Sequence, residues 1–135
     1  AQQALEEATA YGQERKQRGR AIAELQASQF TLADMLTELV AARQMIRLAA
    51  SKLDDGDPQA TTFCAMAKRF ATDVGFKVTN DALQLFGGYG YIKEYPLERH
   101  VRDNRDHQIL EGTNEVMRVI ISRRLLVDGA LEMIK

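Results

Sequence analysis

Apolar residues recur at three- and four-residue spacing along most of this chain. In one stretch they are Leu32, Met35/Leu36, Leu39/Val40, Ile46, Ala49/Ala50 and Leu53. In the next they are Ala67, Phe70/Ala71, Val74, Val78, Ala82 and Leu85. That spacing puts each set on one face of an α-helix, and almost nothing in the chain suggests a strand. Residues 1–16 are rich in Ala, Glu and Gln, all good helix formers, until Gly19 breaks the run. A long helix is predicted from about Ala21 to Leu53, closed by the sequence DDGDP. Asp57 can cap the next helix and Pro58 suits its first turn, so a second long helix should run to about Leu85. Phe86–Pro96 reads as irregular, Leu97–Ile109 as a shorter helix, and a last helix starts near Thr113 and ends before Asp128–Gly129. Glu98–Arg102 and Arg102–Asp106 are four apart and can pair along the shorter helix. Gly75 costs about 1 kcal/mol of helix propensity unless close packing requires it. Helices with one stripe each to bury predict an all-α, up-and-down four-helix bundle in a single domain, 1–135.

The charge balance narrows the function. Formal net charge is -1 with 27% charged and 45% hydrophobic residues, so no basic excess points to nucleic acid. No apolar run reaches the ~20 residues of a membrane span, and no signal peptide is visible. The single cysteine, Cys64, excludes an internal disulfide and reads as a buried thiol. His100 and His107 are seven apart without a firm third donor, so no metal is expected. The first residue is Ala and enters helical sequence at once, which reads as a processed or cut boundary.

Three segments could carry chemistry. Glu111 sits in QILEGTNEVMR, in a link before a new helix that Thr113 or Asn114 can cap. Gly112 clears the space beside it. An acid held there can face a cleft, and it becomes a stronger base once a substrate excludes water. The plainer alternative is that Glu111 only complements the partial positive charge of a helix N-terminus. Phe86-Gly87-Gly88-Tyr89-Gly90 lets backbone approach a ligand or a partner chain, or simply turns between helices. It follows a helix rather than a strand, so a nucleotide-binding fingerprint is not implied. Arg15-Lys16-Gln17-Arg18-Gly19-Arg20 offers four positive charges to a pyrophosphate, or to solvent.

Taken together and in order, these blocks resemble the C-terminal helical domain of the acyl-CoA dehydrogenases. The resemblance runs from Tyr11 to about Leu126. It is carried by Tyr11 with Arg15–Gly19, Gln26 and Leu32–Met35; by Gln84–Gly90 with Glu94–Arg99; and by Arg102-Asp103 with Ile109–Thr113. It implies a fragment of a three-domain flavoenzyme that forms dimers or dimer-paired tetramers, with FAD between the middle and C-terminal domains of two subunits. Arg15 would bind the pyrophosphate of the neighbouring subunit's flavin, and Gln17, Gln26, Gln84, Gly87 and Gly88 would line that cofactor. Thr113 and Glu115 would touch the flavin of their own subunit. Glu111 would be the catalytic base, flanked on the substrate side by Leu110 and Gly112. It would take the pro-R α proton of an acyl-CoA thioester while a hydride passes from the β carbon to flavin N5. The flavin ribityl hydroxyl and the Glu111 backbone N–H would hold the enolate charge. The product would be a trans-2-enoyl-CoA, with an electron-transfer flavoprotein reoxidising the cofactor. The resemblance places such an enzyme in the cytoplasm of a bacterium or in the mitochondrial matrix of a eukaryote.

The chain departs from the family pattern in three places. Arg18 stands where Phe is usual near the flavin adenine, Glu115 where many members have Gln, and Leu110 where straight-chain enzymes often have Tyr. QILEGTNEVMR is most similar to the isobutyryl-CoA type, which implies a short or branched acyl group. Isovaleryl- and long-chain-type members carry their base on the first helix of this domain instead. The 135 residues alone are expected to self-associate and not to dehydrogenate an acyl-CoA. Two other readings stand beside this one: a non-catalytic helical oligomerisation module, and a related flavoenzyme such as an acyl-CoA oxidase. A nitroalkane oxidase is disfavoured, because its base is an aspartate.

Overall fold

A computed structural model of the chain describes residues 1–127. Helix α1 spans Gln2–Glu14 and ends where Arg15 turns extended. Strands β1 (Lys16–Gln17) and β2 (Arg20–Ala21) pair antiparallel, with Lys16 opposite Ala21 and Gln17 opposite Arg20. The two residues between them, Arg18 and Gly19, have φ of 50° and 81°. Positive φ at both positions suits the right-handed twist of a two-residue hairpin. A 3-10 turn at Ile22–Glu24 leads into α2, Gln26–Asp54. The remaining helices are α3 (Ala60–Phe86), α4 (Gly88–Tyr91), α5 (Leu97–His107) and α6 (Asn114–Val127).

The helix count corrects the four-helix expectation: the described residues form six α-helices. Left-handed backbone divides what a simple bundle would join. Gly87 at φ 62° ends α3 and resets the chain, so that Gly88–Tyr91 closes a further turn inside the segment expected to be irregular. Glu111 and Gly112, at φ 55° and 93°, separate α5 from α6. The architecture is also not four equivalent rods. Helix α3 is an axis against which α1, α2, α4, α5 and α6 all pack.

The core follows from that arrangement. Met35, Val78 and Leu97 are fully buried, each removing a side chain worth roughly 1.5–3 kcal/mol from water. With Ala4, Ala8, Ala42, Val74, Ala82 and Phe86 they form one cluster where α1, α2, α3 and α5 meet. A smaller cluster of Ala49, Phe63 and Ala67, with Met45, Cys64 and Met66 against it, joins α2 to the early part of α3. Cys64 is half-buried rather than enclosed. Helix α5 buries only Leu97, and it reaches α3 by close approach. A Cβ on Gly75 would lie 2.8 Å from Asn104 Oδ1, which is the packing reason for a glycine mid-helix. Asp57 accepts from Gln59 N at 2.7 Å and from Lys52 Nζ at 2.8 Å, fastening the α2–α3 corner. The Lys52 ammonium, then the Gln59 N–H, hold the Asp57 carboxyl below the usual range.

Not every predicted stripe residue is inside. Phe30, Leu36, Val40, Ile46 and Leu53 on α2 are each at least half exposed, as are Leu126 and Val127 on α6. Among the described residues, no helix is long and apolar enough to cross a membrane.

Candidate active site and cofactor groove

Two regions gather the residues singled out in the sequence, and α3 separates them. The first lies where the ends of α1 and α3 meet. Tyr11 stacks on Phe86 with ring centroids 4.0 Å apart and planes inclined by 12°. Tyr95 meets Phe86 edge-on at 5.6 Å and Tyr89 at 5.6 Å. Such ring pairs add roughly 0.5–1.5 kcal/mol beyond their buried area. The Arg15 guanidinium lies 5.4 Å from the Tyr89 ring centroid, where the ring face attracts a cation. The Arg15 main chain is held as well: its N–H donates to Tyr11 O at 2.8 Å and its carbonyl accepts from Ile22 N at 2.9 Å. Beside this cluster opens a groove of about 630 Å³ that includes Arg15, Gln17, Gln84, Gly87 and Gly88 in its lining. A Cβ built on Gly87 or Gly88 meets no atom of this chain within 4 Å, so the space beside both is open. Gln26 and Arg18 are exposed and lie outside the lining of this groove. Tyr91, at the end of α4, is 79% exposed.

The second region is the α5–α6 turn, 108–113. Glu111 is exposed and holds a left-handed conformation that costs a non-glycine residue roughly 1–2 kcal/mol. Such strain persists only where the surroundings over-determine it, and it is enriched at functional sites. The surroundings here are polar and come from α3. Lys68 Nζ donates to Gly112 O at 2.7 Å and to Asn114 Oδ1 at 2.8 Å. Asn114, only 3% exposed, donates to Asp73 Oδ1 at 2.7 Å and to Thr72 Oγ1 at 2.9 Å. Gln108 Nε2 reaches the same Asp73 oxygen at 2.8 Å, and Asn114 N closes the turn onto Gln108 O at 3.0 Å. The other Asp73 oxygen faces Arg69 at 3.4 Å and Arg118 at 3.6 Å. Among the described residues, neither the Glu111 carboxylate nor its backbone N–H has a partner within the chain.

The neighbouring positions are placed by the start of α6. Thr113 caps it, its hydroxyl accepting from Val116 N at 3.4 Å. The Glu115 carboxyl is held below its ordinary value, first by its own backbone N–H, then by the Thr113 hydroxyl, with the charges of Arg118 and Arg105 adding. Leu110 is half-buried and Gly112 exposed beside Glu111. A polar cavity of about 270 Å³ adjoins the turn, lined by Asp73, Arg105, Gln108, Ile109, Asn114, Glu115 and Arg118. No three metal-ligating side chains converge among the described residues.

Sequence reasoning found the turn and missed what holds it. Lys68, Thr72 and Asp73 form the anchoring surface, and Asn114 is its buried centre rather than a helix cap. The available signal was an interruption: Lys68, Arg69, Thr72 and Asp73 put polar side chains on successive turns between the apolar Ala65–Ala67 and Val74–Phe76.

The model of the acyl-CoA dehydrogenase C-terminal domain matches residues 1–126. Mitochondrial isobutyryl-CoA dehydrogenase of Dictyostelium discoideum is 59% identical over 114 residues, which are 84% of this chain and 27% of that protein. A chain in the solved structure of the electron transferring flavoprotein of Acidaminococcus fermentans superposes with a TM-score of 0.90 at 50% identity, over 94% of this chain and 33% of that one. The FAD complex of PigA gives a TM-score of 0.88 at 32% identity, over 95% and 33%. The chain thus spans about a quarter to a third of the length of these relatives. With the family's motif blocks brought into one fold and the match running almost end to end, the chain belongs to the acyl-CoA dehydrogenase family, as its C-terminal domain.

Proposed function

We propose that this chain is the C-terminal domain of an FAD-dependent dehydrogenase that oxidises a short or branched acyl-CoA, with Glu111 as its base. One observation carries the reading: Glu111 sits in a strained turn fixed from α3, with both its carboxylate and its N–H free of partners among the described residues. A base must be held rigidly yet keep its lone pairs for the substrate. The carboxylate takes the α proton of the thioester. The N–H at the same residue donates to the thioester carbonyl as negative charge builds there. Leu110 and Gly112 flank the acyl group.

The cofactor is FAD, in keeping with the family and with the FAD complex of PigA. When bound it supplies a two-electron acceptor for the hydride of the β carbon. The residues of the first region suit its phosphates and its length. Arg15 provides a guanidinium on a main chain held at both its N–H and its carbonyl, and Gly87 and Gly88 leave open backbone. Thr113 and Glu115 belong to the other region and would meet a different flavin. The anchor points on α3, Lys68 and Phe86, are eighteen residues apart, or about 27 Å along the helix. That separation supports a cofactor shared between subunits, with the two regions of one chain serving two flavins. The exposed apolar residues of α2 and α6 supply surface for such a homodimer or tetramer. The rest of the parent would provide the other domains, and an electron-transfer flavoprotein would reoxidise it. Its location would be the mitochondrial matrix in a eukaryote, in keeping with the word mitochondrial in the name of the Dictyostelium relative, and the cytoplasm in a bacterium.

The test is Glu111→Gln in the full-length parent, assayed by flavin bleaching with isobutyryl-CoA. Normal FAD content with reduction slowed by about 10²–10⁴-fold is expected. Unimpaired reduction would remove Glu111 from the reaction.

A further inference from the structure

We infer that Lys68 is a positioning residue for the Glu111 turn, a role that rests on the assignment of Glu111 as the base. Two consecutive left-handed residues take the backbone of 111 and 112 out of any helical ladder, so their polar groups need other partners. Among the described residues, the Gly112 carbonyl receives one donor, Lys68 Nζ at 2.7 Å. The same ammonium holds Asn114 Oδ1 at 2.8 Å, on the other side of Thr113. Lys68 therefore spans the turn from Gly112 to the first residue of α6, and its own backbone is fixed in the middle of α3. Its stem leaves a half-buried helix position, which limits the rotamers open to the ammonium. A charge-assisted bond of this length is among the stronger available in the turn.

The remaining contacts do not replace it. Asn114, Asp73 and Gln108 tie α6 and the end of α5 to α3, and they act on residues 108 and 114. Among the described residues, only Lys68 grips the carbonyl of Gly112, the residue directly after Glu111. Loss of the ammonium leaves α6 docked but lets the 111–112 peptides rotate toward ordinary helical or extended angles. The carboxylate and the N–H of Glu111 then leave their joint orientation while remaining chemically intact. Lys68 touches neither substrate nor cofactor in this account; it works through the backbone of its neighbour.

The experiment compares Lys68→Met, Lys68→Arg and Glu111→Gln in the full-length flavoenzyme, with rates expressed per bound flavin. Lys68→Met keeps the alkyl stem and removes the charge. Its limiting rate of flavin reduction by isobutyryl-CoA should fall tenfold or more, as about 1 Å of misplacement can cost 10²-fold. The apparent Kd for the acyl-CoA should stay within about twofold, since uniform binding is untouched. Lys68→Arg, which can still donate to both oxygens, should recover most of the rate. A Lys68→Met enzyme with an unchanged rate per flavin, while Glu111→Gln is inactive, overturns this inference and leaves the base in place. So does a rate loss that Arg cannot reverse. An active Glu111→Gln enzyme overturns the assignment of the base and this role with it.

Discussion

The groove beside Arg15 and the turn that carries Glu111 are built by opposite means. The groove region is aromatic: Tyr11, Phe86, Tyr89 and Tyr95 pack on one another with the Arg15 guanidinium against Tyr89, and glycines keep one wall open. The turn is polar: Lys68, Thr72, Asp73 and Asn114 form a connected set of hydrogen bonds behind a strained acid. Stacked rings tolerate small displacements, because dispersion falls away gradually with offset. A hydrogen-bond set with a buried centre such as Asn114 does not, since a missing partner there leaves a polar group desolvated and unpaired. A region that grips a long cofactor can be soft, whereas one that must aim a single carboxylate is better made stiff. The two regions should therefore fail in different ways when substituted.

The sharpest break between them comes from paired variants of the parent enzyme. Glu111→Gln should keep its flavin and lose turnover by about 10³-fold. Arg15→Ala should do the reverse, losing roughly ten- to a hundredfold in FAD affinity, the worth of a charge-assisted bond. Equilibrium dialysis against FAD, run beside single-turnover reduction, separates the two. If both variants lost flavin alike, the division into a gripping and an aiming region would be wrong.

Stability sharpens the contrast further. Asn114→Ala deletes a 3%-exposed hub and takes one partner each from Asp73, Thr72 and Lys68, so denaturant unfolding should show a loss of about 2–3 kcal/mol. Phe86→Leu removes one stacked ring and keeps its bulk, for about 1–1.5 kcal/mol. Larger loss at the aromatic corner than at Asn114 would contradict the proposed difference in stiffness. The smallest effect should come from the α2–α3 corner, which belongs to neither region. The Asp57 carboxyl is depressed in the folded chain, so its stabilisation is full above its ordinary value of 3.8 and fades as pH falls through its lower folded value. Asp57→Asn should thus flatten a shallow acid limb of the stability profile and lower stability slightly at neutral pH, where the carboxylate's contribution is full, with the two profiles converging in acid; solvent screening of this half-buried pair keeps the loss small.

Much of this was legible in the chain itself. Helical spacing marked α2 and α3, and the DDGDP corner lies where it was expected. The blocks around Arg15, Gly87 and Glu111 identified both regions. The link at Glu111 and Gly112 was legible, but the short helix α4 was not, because it is formed by a reset at positive φ on Gly87 inside a segment read as irregular. Arg18 at φ 50° and Glu111 at φ 55° adopt a geometry that their side chains disfavour, and local preference cannot reveal that. The exposed residues of α2 were misread for a related reason. A helix with two apolar sides, one facing α3 and one facing outward, gives the same periodic signal as a helix with a single wide one. The anchoring role of Lys68 and Asp73 needed coordinates, since both lie some forty residues from the turn they hold.

Every other helix rests on α3, so α3 also sets the angular phase between the two regions. One residue inserted near its midpoint would turn one end against the other by about 100° and lengthen the rod by about 1.5 Å. Each corner could keep its own bonds after such a change. Yet the guanidinium at one end and the carboxylate at the other would face along new bearings, and the shared-flavin arrangement proposed above would lose one of its two ends.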